Sequence, residues 1–416
     1  MELRAENSSK IAIILAPDDK GLQTVFGIPA VRRLTLLSLQ LGLREIHIIG
    51  QVEALRSILC DLIPPERLHS AQDSRSMLGV LEGLGLSDQQ GVLALKCNVI
   101  IDRPSLSRLI DAGTSPGLCC YMDPEGNNGR ERLYLTTPPG LVSILLHLWS
   151  SSPSNPPVPE KGQLVLGVDG LPYVLDGGKE GGKIAEDKLM EAQASQTREK
   201  DGFLARHVNR RVSRFISRGL VFTPVTPNQI TLAGATIGLA GAFFLSLAGY
   251  WPKLIGSLLF LFCIIVDGVD GEIARLKLQV TSWGHYLDII TDNIVHIAIF
   301  AGITLGLYRD SANSGYFWIL CALIGGFGLC ALAVYLCILK RSPEELRQSP
   351  ITIRTMALLS NRDFAYMVVA FALVNRLQWF LLGVAVGTYL FSAILCLMGF
   401  YERRAAAHLL RSRAGG

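Results

Sequence analysis

The second half of the chain is a succession of apolar runs, and those runs constrain its fold more than any other feature. Six of them, at about 229–250, 254–275, 283–308, 316–339, 364–374 with its flanks, and 379–401, are candidates to cross a bilayer. A helix needs about 20 apolar residues to cross the ~30 Å hydrocarbon layer. The fifth is the shortest. A single soluble globule is therefore excluded. Whole-chain averages conceal this: the 416 residues are 50% apolar and 18% charged, and 39 basic against 35 acidic side chains give a net charge of +4. From residue 201 onward 19 basic residues face 11 acidic ones, whereas the first 200 residues hold 20 against 24. An acidic half precedes a basic, apolar one.

Two or three domains are expected at this length. The first half alternates short buried-type runs with helical patterns: IAIIL at 11–15, a polar loop, a helix over 30–41, then EIHII at 45–49. VLAL at 92–95 and VII at 99–101 read as further strands, and 104–112 and 141–149 as helices. This β-loop-α-β order predicts a doubly wound α/β domain over 1–185. The stretch SSSPSNPPVPEKG is a loop or linker, followed by two short strand-like runs, QLVLGV and YVL. Only a five-residue apolar run follows MELRAENSSK, so no signal peptide is expected and the first domain is placed in the cytoplasm. The nine cysteines (Cys60, Cys97, Cys119, Cys120, Cys263, Cys321, Cys330, Cys337 and Cys396) form no CxxC pair and fall mostly in apolar segments. That argues against a disulfide scaffold or zinc ribbon.

Residues 186–225 form a linker and an interfacial helix, 226–404 a six-helix membrane domain, and 405–416 a basic tail. In the segment VNRRVSRFISRGL, Val208, Val212, Phe215 and Ile216 share one helical face, with Arg210, Arg211, Arg214 and Arg218 around the rest. It is expected to lie flat on the inner leaflet; an ordinary solvated helix against the first domain is the alternative. With six spans both termini lie on one side of the membrane. Sixteen Lys and Arg residues fall on that side and only Lys253, Arg309 and Arg376 on the other, so both termini are expected in the cytoplasm.

Charge within such spans is costly and marks function. The second span reads LLFLFCIIVDGVDGEIARLK and the third WGHYLDIITDN. Asp267 and Asp270 are three apart and Asp288 and Asp292 four apart, so each pair shares a helix face. Two neighbouring helices would aim four carboxylates at one point. Four like charges in a low dielectric need cations, and hard oxygen ligands select Mg²⁺, Mn²⁺ or Ca²⁺ over zinc, so a site for two divalent ions is expected. Gly268, Gly271 and Gly284 leave room for a substrate or a neighbouring helix. Arg275 would lie at the cytoplasmic edge with a phosphate or carboxylate partner. Carboxylates paired with basic residues to hold helices together would need Lys or Arg inside the spans, and there are almost none.

The same residues match all eight specified positions of D-x2-D-G-x2-A-R-x8-G-x3-D-x3-D. On that motif, and on the TPNQIT that opens the first span with Pro227, Asn228 and Thr231, the stretch from about residue 226 to 401 resembles the CDP-alcohol phosphotransferase family. The resemblance implies a membrane-embedded pair of Mg²⁺ or Mn²⁺ ions bound by Asp267, Asp270, Asp288 and Asp292, with Asp292 also the general base. Asp270, Gly271, Ala274, Arg275 and Gly284 would form the pocket for the CDP moiety. The implied reaction takes a CDP-linked donor and a hydroxyl acceptor, with lipid as the other partner and no nucleic acid, in phospholipid or phosphodiester-solute synthesis.

Weaker signals surround this core. His285 and His296 share a face with Asp288 and Asp292 and are read as neutral histidines at a helix contact rather than ligands. Lys340, Arg341, Arg354 and Arg362 anchor the cytoplasmic side, with Arg362 the candidate for the acceptor's phosphate. Gly234, Gly238 and Gly241 suit helix packing, within the chain or in a homodimer. The order IAIILAP, loop, GIPAVRRLTLLSLQLGLREIHIIG and VLALKCNVIIDRPSL resembles a sugar-nucleotide transferase fold, and the fusion resembles the bifunctional inositol-1-phosphate cytidylyltransferase/di-myo-inositol phosphate phosphate synthases. The phosphate-binding loop reads APDDKGLQ here, with two acids, and Lys96, Cys97 and Asn98 stand where a metal-binding Asp is implied. A non-catalytic first domain is expected, with Lys20 keeping open the bifunctional alternative, a protein that also makes its own CDP donor. From another class, a transporter or cation-binding membrane protein remains.

Overall fold

The structure, a computed structural model, describes residues 10–86, 91–112, 119–123, 133–136, 138–150, 162–166, 171–198, 208–339 and 364–414. The chain divides into two compact units, Met1–Gln196 with Leu276–Leu278, and Thr197–Arg275 with Gln279–Gly416. The first is built on a seven-stranded sheet. Its strands are β1 (Ile11–Ala16), β2 (Glu45–Gly50), β3 (Leu68–Ser70), β4 (Val92–Lys96), β5 (Cys119–Asp123), β6 (Leu133–Thr136) and β7 (Gly162–Leu166). They are ordered β7-β5-β6-β4-β1-β2-β3. β1 is parallel to both β2 and β4, and β6 is antiparallel to both β4 and β5.

Helices α1 (Ala30–Gln40), α2 (Glu53–Leu59), α3 (Ser74–Gly83), α4 (Arg103–Ala112) and α5 (Pro138–Ser150) cover this sheet. Successive residues of a strand point to opposite faces. Ala12, Ile14 and Ala16 of β1 thus share a core with α1, α2 and α4, through residues such as Leu34, Leu55 and Leu106. Ile11, Ile13 and Leu15 share another with α3 and α5, through Met77, Ile144 and Leu145. Both faces are covered, which is why all six residues of β1 are buried and why IAIIL reads as one unbroken apolar run. This is the α/β class expected. The hydrophobic pattern did not announce β3, β5 or β6; β3 is three residues long, too short to alternate. Helix α6 (Lys179–Arg198) follows.

The second unit is helical: α7 (Arg210–Leu220), α8 (Pro227–Ser246), α9 (Tyr250–Leu276), α10 (Ser282–Ser311), α11 (Gly315–Val334), α12 (Phe364–Leu373) and α13 (Leu377–Ala414). Five stretches, Pro227–Ser246, Tyr250–Leu276, Ser282–Ser311, Gly315–Cys337 and Leu377–Tyr401, are long and apolar enough to cross a membrane. The unit is an integral membrane domain; α12, at ten residues, is shorter than a full span. Thr226 and Gln229 form a capping box at the start of α8, with Pro227 in the first turn, and the Thr281 hydroxyl caps α10 by accepting from the Gly284 N–H at 3.0 Å.

Packing around α8 positions everything else. A methyl group on Gly256 of α9 would lie 2.6 Å from the Gly241 carbonyl oxygen and 2.7 Å from the Leu245 nitrogen of α8. Gly302 and Gly306 of α10 lie in the same way against the carbonyls of Ala242 and Leu245. Gly234 and Gly238 face Val266, Cys263 and Val295, so the small-residue stripe of α8 is used within the chain. At one end of these helices Lys253 is buried in an ion pair with Asp310, which also accepts from the Gly249 N–H at 2.8 Å.

Candidate active site

α9 and α10 bring three of the four predicted carboxylates together. One oxygen each from Asp267, Asp288 and Asp292 lies within 4.8 Å of the others. Trans oxygen ligands of a Mg²⁺ ion stand about 4.2 Å apart, so the cluster has the dimensions of a coordination sphere. Asp267 and Asp292 open onto a cavity that Thr231, Cys263, Thr291 and Val295 also line. Three carboxylates at this separation repel one another when ionised, and a cation among them removes that repulsion. The arrangement can hold a divalent ion and can present a carboxylate to a hydroxyl.

Asp270, one turn beyond Asp267, stands outside that group of three. It is 7% exposed, and one of its oxygens accepts the hydroxyl of Thr231 from α8. Thr231 also lies 3.2 Å from the Pro227 carbonyl, so the PNQIT segment reaches the acidic cluster through its threonine. The segment's asparagine reaches the other motif half: Asn228 Oδ1 is 3.0 Å from where a Gly284 methyl would be. Gly271 leaves space that Arg275 fills, its Nη1 3.3 Å from the corresponding methyl position. Ala274 is half-buried and Arg275 exposed. His285 is exposed, and the ring of His296 packs against Phe260 and Phe364, at 6.0 and 5.4 Å between centroids. Neither histidine joins the carboxylate group. Arg362, with Lys340, Arg341 and Arg354, lies outside the described residues.

From the sequence Glu272 points elsewhere on the helix than the aspartates and reads as a cytoplasmic-edge residue, with its partners unread. Glu272, 5% exposed, accepts hydrogen bonds from the hydroxyls of Ser213 at 2.9 Å and Ser217 at 2.7 Å, and from Arg210 Nη1 at 3.1 Å. α7 therefore packs on α9 by its serine side, while Phe215 is 80% exposed. Two serines four apart among arginines were the available signal.

In the first unit the loop after β1 turns through Asp19–Leu22, where Asp18 Oδ1 accepts from the Lys20 N–H at 3.2 Å and Lys20 Nζ lies 3.9 Å from the same carboxylate. Burial, with Asp18 nearby, pushes the Cys97 thiol up to about 12. Asn98 is buried and donates to the Leu175 carbonyl at 2.6 Å.

Residues 224–403 match the CDP-alcohol phosphatidyltransferase family. The C-terminal half is a CDP-alcohol phosphatidyltransferase domain. Among curated relatives, the chain is 39% identical over 117 residues to the bifunctional IPC transferase and DIPP synthase of Archaeoglobus fulgidus, covering 28% of this chain and 23% of that one. It is 35% identical over 101 residues to the phosphatidylinositol phosphate synthase of Mycobacterium bovis, covering 24% and 46%. The matches thus span about a quarter to a half of these relatives' lengths. A solved 4-diphosphocytidyl-2C-methyl-D-erythritol synthase from Anaerococcus prevotii overlaps 44% of this chain and 98% of its own, at 15% identity and a TM-score of 0.32.

Proposed function

We propose that the membrane domain transfers a substituted phosphoryl group from a CDP-alcohol to a hydroxyl acceptor and releases CMP, in phospholipid or phosphodiester-solute synthesis. The observation that carries this reading is the convergence of Asp267, Asp288 and Asp292 within 4.8 Å on two apolar helices. Hard oxygen donors inside a membrane suit Mg²⁺ or Mn²⁺, and with Asp270 beside them the set serves two ions. When bound, the cations offset the charge that develops on the leaving CMP. The remaining work belongs to the chain. Asp292 is the general base that takes the proton from the acceptor hydroxyl. Gly271, Ala274, Arg275 and Gly284 form the wall against the CDP moiety, with the Arg275 guanidinium donating to phosphate. Arg362 binds the phosphate of the acceptor. The α12 segment completes six spans, with both termini in the cytoplasm as the distribution of basic residues requires.

The test is CMP release from CDP-diacylglycerol and CDP-inositol by the protein in lipid with Mg²⁺ or Mn²⁺, across a panel of hydroxyl acceptors, beside Asp292→Asn. CMP formed with one donor and acceptor pair and lost in the variant supports the reading; cation binding with no CMP from any pair sinks it for those donors.

A second reading is favoured by the names of the bifunctional relatives: the first unit makes the CDP donor from CTP. Lys20, in the turn that follows β1, is the residue that would meet the triphosphate. Pyrophosphate release from CTP and inositol 1-phosphate by the full chain, lost in Lys20→Ala, supports it. No pyrophosphate leaves a non-catalytic first unit.

A further inference from the structure

Glu272 lies between Gly271 and Ala274 of the motif, at one of the two positions, with Ile273, that the motif leaves unspecified. A buried acid there demands an account, because an unsatisfied carboxylate inside a membrane domain is strongly unfavourable. The two serine hydroxyls and the Arg210 guanidinium supply it, from one face of α7. Their effect is to fix where α7 lies along α9. Gly268 lies against this contact: a methyl there would be in ordinary van der Waals contact with Ser213 Cβ at 3.9 Å and Arg210 Nη1 at 4.0 Å.

Gly268 follows Asp267 and Gly271 follows Asp270, three residues apart on one side of α9. Arg210 stands at the first glycine and Arg275 over the second. Two guanidiniums from different helices therefore border the same side-chain-free strip beside the carboxylate cluster. A guanidinium presents five N–H donors in a rigid fork, and Glu272 engages Arg210 through Nη1. We propose that Arg210 binds a phosphate carried by one of the substrates, opposite Arg275, and that Glu272 is the positioning residue that holds it beside Gly268. This rests on the transferase reading, and α7 then serves as one wall of the substrate site.

The experiment is steady-state CMP release by the full chain in lipid vesicles, varying donor and acceptor in turn. The proteins compared are wild type, Arg210→Ala, Arg210→Lys, Glu272→Gln and Arg211→Ala, the last altering an exposed arginine one position along α7. Arg210→Ala should raise KM for the substrate that carries the phosphate by about tenfold or more, with a smaller change in kcat. The arm in which KM rises, donor or acceptor, identifies whose phosphate it is. Arg210→Lys should recover part of the loss, Glu272→Gln should raise the same KM less, and Arg211→Ala should leave both constants unchanged. An active wild type whose two KM values are untouched in Arg210→Ala overturns the proposal, as does an equal rise in Arg211→Ala, which would mean general surface charge. A loss of folded protein alone lowers apparent kcat and leaves both KM values in place, which also counts against it. A wild type that releases no CMP sinks the transferase reading and this inference together.

Discussion

The two units differ most in what they leave exposed. In the α/β unit the strand β1 is buried along its whole length and contributes only apolar side chains to the two cores. In the membrane unit large apolar side chains such as Phe243, Trp318, Ile324 and Leu390 are exposed. Polar ones, Ser213, Ser217, Ser257, Asp270, Glu272 and Thr304, are buried. The difference is one of solvent. Water drives apolar surface inward, whereas lipid is indifferent to it and excludes charge, so the bundle interior is where carboxylates can find partners. The proposed phosphoryl transfer uses the unit whose interior tolerates carboxylates.

The sharpest test removes that chemistry and leaves both interiors in place. Asp292→Asn should lower kcat for CMP release by about 10²–10⁴-fold, the usual range for a general base, with the thermal melt of the α/β unit unchanged. The next test exchanges the burial rule. Leu15→Ala, in a side chain with no exposed surface, should cost about 2–5 kcal/mol in denaturant unfolding. Phe243→Ala, on an outward face, should stay within about 0.5 kcal/mol in detergent. A large loss from Phe243→Ala would mean that the outward face of α8 is packed against protein after all.

Smaller effects refine the contrast. Ser217→Ala leaves one Glu272 oxygen without its hydroxyl donor, and should destabilise the membrane unit by about 1–3 kcal/mol, read as a lower melting temperature. In the α/β unit the buried Cys97 thiol, pushed up to about 12, should resist alkylation at pH 8, while the exposed Cys60 reacts. Mass spectrometry of the labelled native protein separates the two. The least effect comes from His47 and His69, whose ring nitrogens lie 3.1 Å apart. Burial depresses both, and for His47 the neighbouring His69 adds to it. Below a pH of about 6.5 the unfolded chain takes up protons that the folded pair resists, so stability falls as the pH drops through that region. His69→Gln should flatten that slope in urea titrations between pH 7 and 5.

What could be read from the sequence follows from the range of the interactions. Asp267, Asp288 and Asp292 declare themselves because helical spacing is local and charge in an apolar run is conspicuous. The same spacing places Asp270 on their side but says nothing of Thr231, which reaches it from a helix 39 residues earlier. Glu272 is the harder case. Its partners lie 55–62 residues away on a helix whose arginines and Phe215 suggest only a membrane surface. Val208 and Phe215 of the apolar face read from the sequence are exposed, whereas Ile216 packs against the cluster that holds Val266, Val269 and Ile273, and Ser213 and Ser217 bind Glu272. In the α/β unit the long strands were legible from their alternation with helices, whereas β3, β5 and β6 depend on pairing with distant strands, which no local pattern encodes.

α8 meets α9 at Gly241 and Gly256, and α10 at Gly302 and Gly306, peptide group against peptide group. At those seams the spacing of the helices is set by backbone thickness, a dimension that no substitution can adjust by a fraction. Leucine-for-valine exchanges, the ordinary small steps by which packed interiors drift, have nothing to act on at those seams. The rim, at Arg210 and Arg275, is built of long side chains and can be rewritten one residue at a time. Such a molecule can change what it accepts far more readily than the geometry with which it reacts.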